Sequence, residues 1–313
     1  MINQDCKEIF CDDISALFPP VDKRSNKGDM GRVLCICGSY NGTGASMCGA
    51  AYFSAMAAYR CGAGIVEIFT HRKNYESLAS LIPEAVFSLY DTDVESVSEI
   101  CTRLSDKIGK ADSVVLGCGL GKSELALEMT KVTLENASVP LVIDADGLNI
   151  LSENDTLWSF LSLEQTKQTI ITPHMGEMSR LCGKSISDIL ATPDTVAIEY
   201  AKSRGIICLL KDHNTIITDG ETVFVNNSGN EGMATGGMGD VLSGIIGALL
   251  ARDTVAEWMS EEKRAVLSAL YRTAAAAYIH GLAGDRAAEM VGKYSLMASD
   301  VLKAIPATIQ ENC

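Results

Sequence analysis

Short runs that are apolar at almost every position punctuate the chain: "VLCIC" (33 to 37), "IVEIF" (65 to 69), "AVFSLY" (85 to 90), "SVVLG" (113 to 117), "LVID" (141 to 144), "TIIT" (169 to 172) and "IICLLK" (206 to 211). A run with no polar face predicts a strand buried on both sides, as in a parallel sheet covered by helices. Helical stretches such as 45 to 61 and 123 to 136 separate many of them, each long enough for a crossover. Residues 214 to 226 read differently, as two short β runs about Asp219-Gly220, a dipeptide that favours a hairpin turn. The last third reads as helical, from 237 to 251 and from about 260 to 284. The pattern predicts an α/β protein, a three-layer α/β/α sandwich with a mostly parallel central sheet. A polar arm, 1 to 27, precedes a single domain, 28 to 313.

Composition narrows the partners. The net charge of −14 and pI near 4.7 set up a field that repels nucleic acid and anionic membranes. A small phosphorylated ligand is still allowed, because a few N–H groups and one lysine bind an anion locally. The 11 cysteines are odd in number and scattered. Cys35 and Cys37 alternate along one strand, which suits small core residues. With charges in "MINQDCKEIF" where a signal peptide needs an apolar run, this points to a reducing cytoplasm. The longest apolar stretches fall short of a membrane span or contain Arg272 and His280.

Ligands of such sheets bind at the carboxyl ends of the strands, and the unusual motifs fall there. "GNEGMATGGMGD" (229 to 240) has five glycines in twelve positions and runs into the apolar "VLSGIIGALLA". Clustered glycines before a helix leave N–H groups free to hold a phosphate, which Asp240 would then meet at close range. Asp240 is either an acid at a helix start, worth about 0.3 to 1 kcal/mol against the dipole, or a general base for a hydroxyl that attacks the phosphate.

Other motifs fit less specific roles. "GSYNGTGAS" (38 to 46) opens a helix after a strand, but Met47 stands where a dinucleotide fingerprint needs its third glycine. "GCGLGKS" (117 to 123), with "LVIDAD" as a Walker-B-like strand, fails as a P-loop because Leu116 occupies the place of its first glycine. In "TPHMGEMSRL" (172 to 181), His174 and Glu177 are a conceivable metal pair. Thr172 and Glu177 could equally cap a helix, and His174 could touch substrate. "LLKDHNT" (209 to 215) ends a buried strand with Lys211.

Together these motifs resemble the NAD(P)H-hydrate dehydratases, a family of the ribokinase-like fold. The resemblance runs from about Lys27 to Pro306 through "KGDMGRVLCICGS", "GAGIVEIFT", "VVLGCGLGKS", "VIDADGLNIL", "TPHMGEMSRLCG", "LLKDHNT", "GNEGMATGGMGDVLSGIIGALLA", "AYIHGLAGDRAA" and "ASDVL". It implies a metabolite-repair lyase that restores NADH or NADPH from the dead (6S)-hydrate, phosphorylating its 6-hydroxyl with ADP or ATP and eliminating phosphate. ADP is the favoured donor, accompanied by magnesium. Carried over by motif, Asp240 is the base and a substrate contact. Ala45, Gly119 and His174 are hydrate contacts, and Lys211, Asp212, His213, Asn214, Thr215, Gly237 and Gly239 bind the nucleotide. Cys118, Met175, Asp212 and Met238 depart from the usual proline, proline, glycine and threonine. The resemblance further implies a homotetramer. The arm is too short for the epimerase domain that some family members carry, so a separate epimerase is expected upstream. A vitamin-precursor kinase of the same fold and a non-catalytic nucleotide sensor are the rival functions.

Overall fold

The computed structural model describes residues 7–8, 14–15, 17–18, 23–40, 45–166, 168–252 and 268–312. Each apolar run forms the expected strand: β2 (Arg32–Ile36), β3 (Ile65–His71), β4 (Val86–Tyr90), β5 (Ser113–Leu116), β6 (Leu141–Ile143), β7 (Thr169–Ile171) and β8 (Ile207–Leu210). They pair in parallel throughout. The expected hairpin follows as β9 (Thr215–Thr218), antiparallel to β8, and β10 (Val223–Asn226), antiparallel to β9. A two-residue strand β1 (Lys7–Glu8), in the polar arm, pairs parallel with β10. Among the described residues this makes one sheet in the order β1-β10-β9-β8-β7-β6-β5-β2-β3-β4.

Side chains alternate between two cores because every second position of a strand faces the same side. Val33, Cys35 and Cys37 face one core, and Leu34 and Ile36 face the other. On the first side pack α1 (Cys48–Arg60), α7 (Met238–Ala251), α8 (Ala269–Val291) and α9 (Ala298–Asn312). On the second lie α2 (Val97–Ile108), α3 (Glu124–Asn136), α4 (Asp146–Glu153), α5 (Met175–Cys182) and α6 (Pro193–Arg204). These are the three expected layers. The helix anticipated from about residue 260 is described from Ala269; residues 253–267 lie outside the described part.

Two features of this fold position the site. The chain leaves β2 toward β3 and β4, then returns to the other side of β2 as β5, and the helices that follow β2 and β5 lie on opposite faces of the sheet, which marks the binding crevice of such folds at that edge. The helix α7 lies close to its neighbours because Gly244 has no side chain: a Cβ there would stand 2.1 Å from the Ser54 carbonyl oxygen of α1. That contact aims the amino end of α7 at the crevice.

Candidate active site

The Gly-rich stretch ends where α7 begins. Gly237, with φ +90°, is the helix N-cap and has no side chain to offer the free amides. Asp240 therefore sits inside the first turn rather than capping it. Its carbonyl oxygen accepts a bond from Ser54 Oγ at 3.1 Å. Burial raises its carboxyl to about 6, and the nearby Asp144 charge pushes the same way, against a hydrogen bond from the Cys118 thiol and the Lys211 charge.

Asp144 ends β6 and is 1 % exposed. Its Oδ1 accepts from Lys211 Nζ and from the Ala145 amide, both at 2.8 Å, and its Oδ2 accepts from Ser243 Oγ of α7 at 2.7 Å. Burial alone would raise this carboxyl, but Lys211, Ser243 and Thr172 hold it below the usual range. Lys211 is likewise opposed by burial, yet Asp144 and Glu177 keep its ammonium above the ordinary value. The pair lies directly under the glycine loop. A Cβ on Gly239 would meet Lys211 Nζ at 3.3 Å and Asp144 Oδ2 at 3.4 Å, so glycine lets the helix start settle onto both charges without pressing on the lysine.

His174 stands beside this pair. An isolated bridge joins it to Lys211, and the Lys211 amide donates to the Pro173 carbonyl at 2.8 Å. The helix cap expected at Thr172 belongs instead to His174. Its Nδ1 accepts from the Gly176 and Glu177 amides at 2.9 and 3.3 Å, while Glu177 Oε2 accepts from the His174 amide at 2.9 Å. Thr172 is two residues too early and lies by Asp144. Burial raises the Glu177 carboxyl, opposed by Lys211 4.0 Å away. Burial lowers the His174 pKa, as do Lys211 and Arg180.

The remaining expected residues divide into two groups. Gly119 lies in the connection after β5, which is tied to that after β2 by Gly38 N to Cys118 O (2.9 Å) and Ser39 N to Gly119 O (2.7 Å). Ala45 is exposed at the end of the β2 connection, whose residues 41–44 lie outside the described part. On the other side, Asp212 to Thr215 turn from β8 into β9. His213 is 80 % exposed and faces Asp212 at 3.3 Å, and Thr215 Oγ1 donates to the Asp212 carbonyl at 3.0 Å. The structure thus gathers Asp240, Gly239, Lys211 and His174 around Asp144, and leaves His213 pointing to solvent.

Some residues at the site carry no role in the sequence reading. In the sequence Asp144 stands only within the Walker-B-like "LVIDAD", although an acid directly after a wholly apolar strand is a usable signal. Asn74 has no such signal: from beyond β3 its Nδ2 donates to the Gly38 carbonyl at 3.1 Å and its Oδ1 accepts from Ser46 Oγ at 2.7 Å. It fixes both ends of the loop after β2.

Chemically, the free amides of α7 and the Lys211 ammonium suit a phosphate, and Asp240 is poised to take a proton beside it. Among the described residues no group of three or more His, Cys, Asp or Glu could hold a metal ion, and Asp144 is committed to Lys211, Ser243 and the Ala145 amide. Likewise no described helix is long and apolar enough to cross a membrane.

Comparison with known proteins agrees with this geometry. Residues 33–307 match the family model described as NAD(P)H-hydrate dehydratase. A bifunctional NAD(P)H-hydrate repair enzyme from Moorella thermoacetica is 34% identical over 92% of this chain and 51% of its own length; the chain spans about half the length of the first curated relatives it matches. An ADP-dependent (S)-NAD(P)H-hydrate dehydratase from Streptococcus thermophilus is 32% identical over 92% of both proteins. A crystal structure from Enterococcus faecalis, described as a ribokinase-like superfamily protein, superposes with a TM-score of 0.81 at 26% identity, covering 100% of this chain and 98% of its own.

Proposed function

We propose that this chain, which belongs to the NAD(P)H-hydrate dehydratase family, uses a nucleotide to drive water out of the (6S)-hydrate of NADH or NADPH. The observation that carries the reading is the Asp240 carboxyl, raised to about 6, at the amino end of α7 beside the Lys211–Asp144 pair. A base of that pKa is largely ionised at neutral pH and close enough to it to accept a proton efficiently.

In this reading Asp240 takes the proton of the 6-hydroxyl as its oxygen attacks the terminal phosphorus of ADP or ATP, and the bond from phosphorus to the departing nucleotide oxygen breaks. The α7 amides and Lys211 hold the transferring group. The new phosphate ester then leaves with the C–O bonding pair, and a proton is lost from the adjacent ring carbon, restoring the dihydropyridine. The poor leaving group hydroxide has been exchanged for phosphate. Magnesium would enter on the phosphate oxygens with its own water shell, as it commonly does, where it offsets their charge.

A kinase of the same fold would use the same base but release a stable phosphorylated product. The family match and the ADP-dependent relatives favour dehydration. ADP as donor, a cytoplasmic homotetramer and a separate epimerase upstream belong to the same reading; the bifunctional relatives support the link to a second repair activity. The test is incubation with hydrated NADH and ADP or ATP, following regained NADH absorbance and free phosphate together. One phosphate per NADH regenerated is expected, and regeneration without nucleotide would sink the phosphorylation step.

A further inference from the structure

His174 has two ring nitrogens, and the local backbone uses one of them. The Gly176 and Glu177 amides both donate to Nδ1, at 2.9 and 3.3 Å, so Nδ1 carries no proton. In the neutral ring the proton is then on Nε2. The ring can sit there only because position 176 is glycine: a Cβ would stand 2.9 Å from His174 Cε1. Glu177 completes the arrangement from below. Its Oε2 accepts the His174 amide at 2.9 Å, and its Oε1 lies 3.5 Å from Nε2, which is too long for a firm bond but places negative charge on the side of the N–H. Glu177 is 5 % exposed, whereas the His174 side chain is 54 % exposed, so the imidazole and not the carboxyl can meet a ligand.

We propose that Glu177 is a positioning residue that fixes His174 as a hydrogen-bond donor through Nε2, so that the substrate atom His174 meets is an acceptor oxygen. In this geometry His174 cannot serve as a base, since its one free nitrogen already holds a proton. The acceptor class comprises the carbonyl of a carboxamide and the oxygens of a phosphoryl group. The proposal rests on the hydrate reading for the identity of the substrate, but not for the state of the ring. Glu177 also stands 4.0 Å from Lys211, so one carboxylate braces both the histidine and the lysine that flank the site.

The experiment has two arms. In the full chain labelled with 15N-histidine at pH 7.5, the His174 signals, identified by their loss in His174→Gln, should show a protonated Nε2 and an unprotonated Nδ1. A ring protonated on Nδ1, or an even mixture, overturns the proposal whatever the enzyme does. In the second arm, Glu177→Ala should raise KM for the hydrate about tenfold, the scale of one lost hydrogen bond, with KM for the nucleotide within about twofold. Glu177→Gln, which still accepts the His174 amide, should recover most of that loss. A folded Glu177→Ala protein with parental KM for the hydrate, or a Gln variant no better than Ala, counts against it. Should the parent turn over no hydrate at all, the functional reading fails and the nitrogen spectra alone decide the state of His174.

Discussion

Asp144, just after β6, is buried and Asp240, in the first turn of α7, is half-buried; they are near enough to repel each other, yet their surroundings push them opposite ways. Asp144 receives an ammonium, a hydroxyl and an amide and stays ionised. Asp240 receives the Cys118 thiol and rises to about 6. Two carboxyls whose environments separate their pKa values in this way divide the work of a site. Asp144 holds Lys211 in place as a fixed charge, and Asp240 is the group able to exchange a proton near neutral pH. The charge of the first is part of what tunes the second.

The sharpest way to break the comparison is Asp240→Asn. The amide keeps the size, and Gly237 remains the N-cap, but proton acceptance is lost. Turnover should fall by about 10²- to 10⁴-fold, the scale of general base catalysis. ADP affinity should hold or improve, since a charge facing the phosphate is gone. An Asn variant with near-parental turnover would reduce Asp240 to a helix-terminal acid.

The two acids should also act oppositely on stability. Asp144→Asn leaves the Lys211 ammonium with only the more distant Glu177 as ionic partner; removing one member of a buried pair destabilises by about 3 kcal/mol, seen as a lower melting temperature. For Asp240 the folded pKa lies above the ordinary aspartate value. Between about pH 4 and 6 the folded state therefore binds more protons than the unfolded one, and stability declines as pH rises through that window. At pH 7 the ionised Asp240 costs about 3 kcal/mol, so Asp240→Asn should melt higher than the parent while being nearly inactive. If both variants melt lower, the contrast between the two acids is wrong.

Next in size comes pH. With Asp240 as base, kcat/KM should drop about tenfold per pH unit below 6 and level off above it. In Asp144→Asn, Asp240 loses a neighbouring negative charge that raises it, so the acid limb should move to lower pH in whatever fraction remains folded. An unmoved limb would mean that Asp144 does not tune the base.

Much of this arrangement was legible beforehand, and the exceptions have a common cause. All seven parallel strands and the hairpin lie within a residue or two of their apolar runs, because the strands inside the sheet are buried on both faces and leave few polar positions to blur them. Asp240, Lys211 and His174 are found together because loops at the carboxyl edge of such a sheet converge. The residues that escaped notice act at long range or through backbone geometry. Asn74 braces a loop 28 to 36 residues away, and the pairing of Lys7–Glu8 with β10 involves two polar residues with no strand pattern. The cap at His174 could not be told from one at Thr172, since side-chain and backbone donors meet there only once the turn is formed.

Asp212 supplies the smallest test and a control for the role of burial. It is an acid at the same edge of the sheet, next to Lys211, but it lies at the surface with His213 at 3.3 Å. Water and salt screen such a charge, and exposed pairs are worth about 0.2 to 1 kcal/mol. Asp212→Asn should therefore tighten ADP binding only about two- to threefold at low ionic strength, and the gain should fade as added salt shortens the Debye length to about 3 Å near 1 M. Asp212→Gly separates charge from backbone: it removes the same charge but also frees the chain in the turn from β8 to β9. If both variants tighten ADP alike and both lose the gain in salt, the effect is electrostatic, and Asp212 is an exposed counterpart to two acids whose influence comes from being wholly or partly withdrawn from water. If the Gly variant alone differs, and does so at every salt concentration, the turn's conformation sets nucleotide affinity and the charge at 212 is incidental.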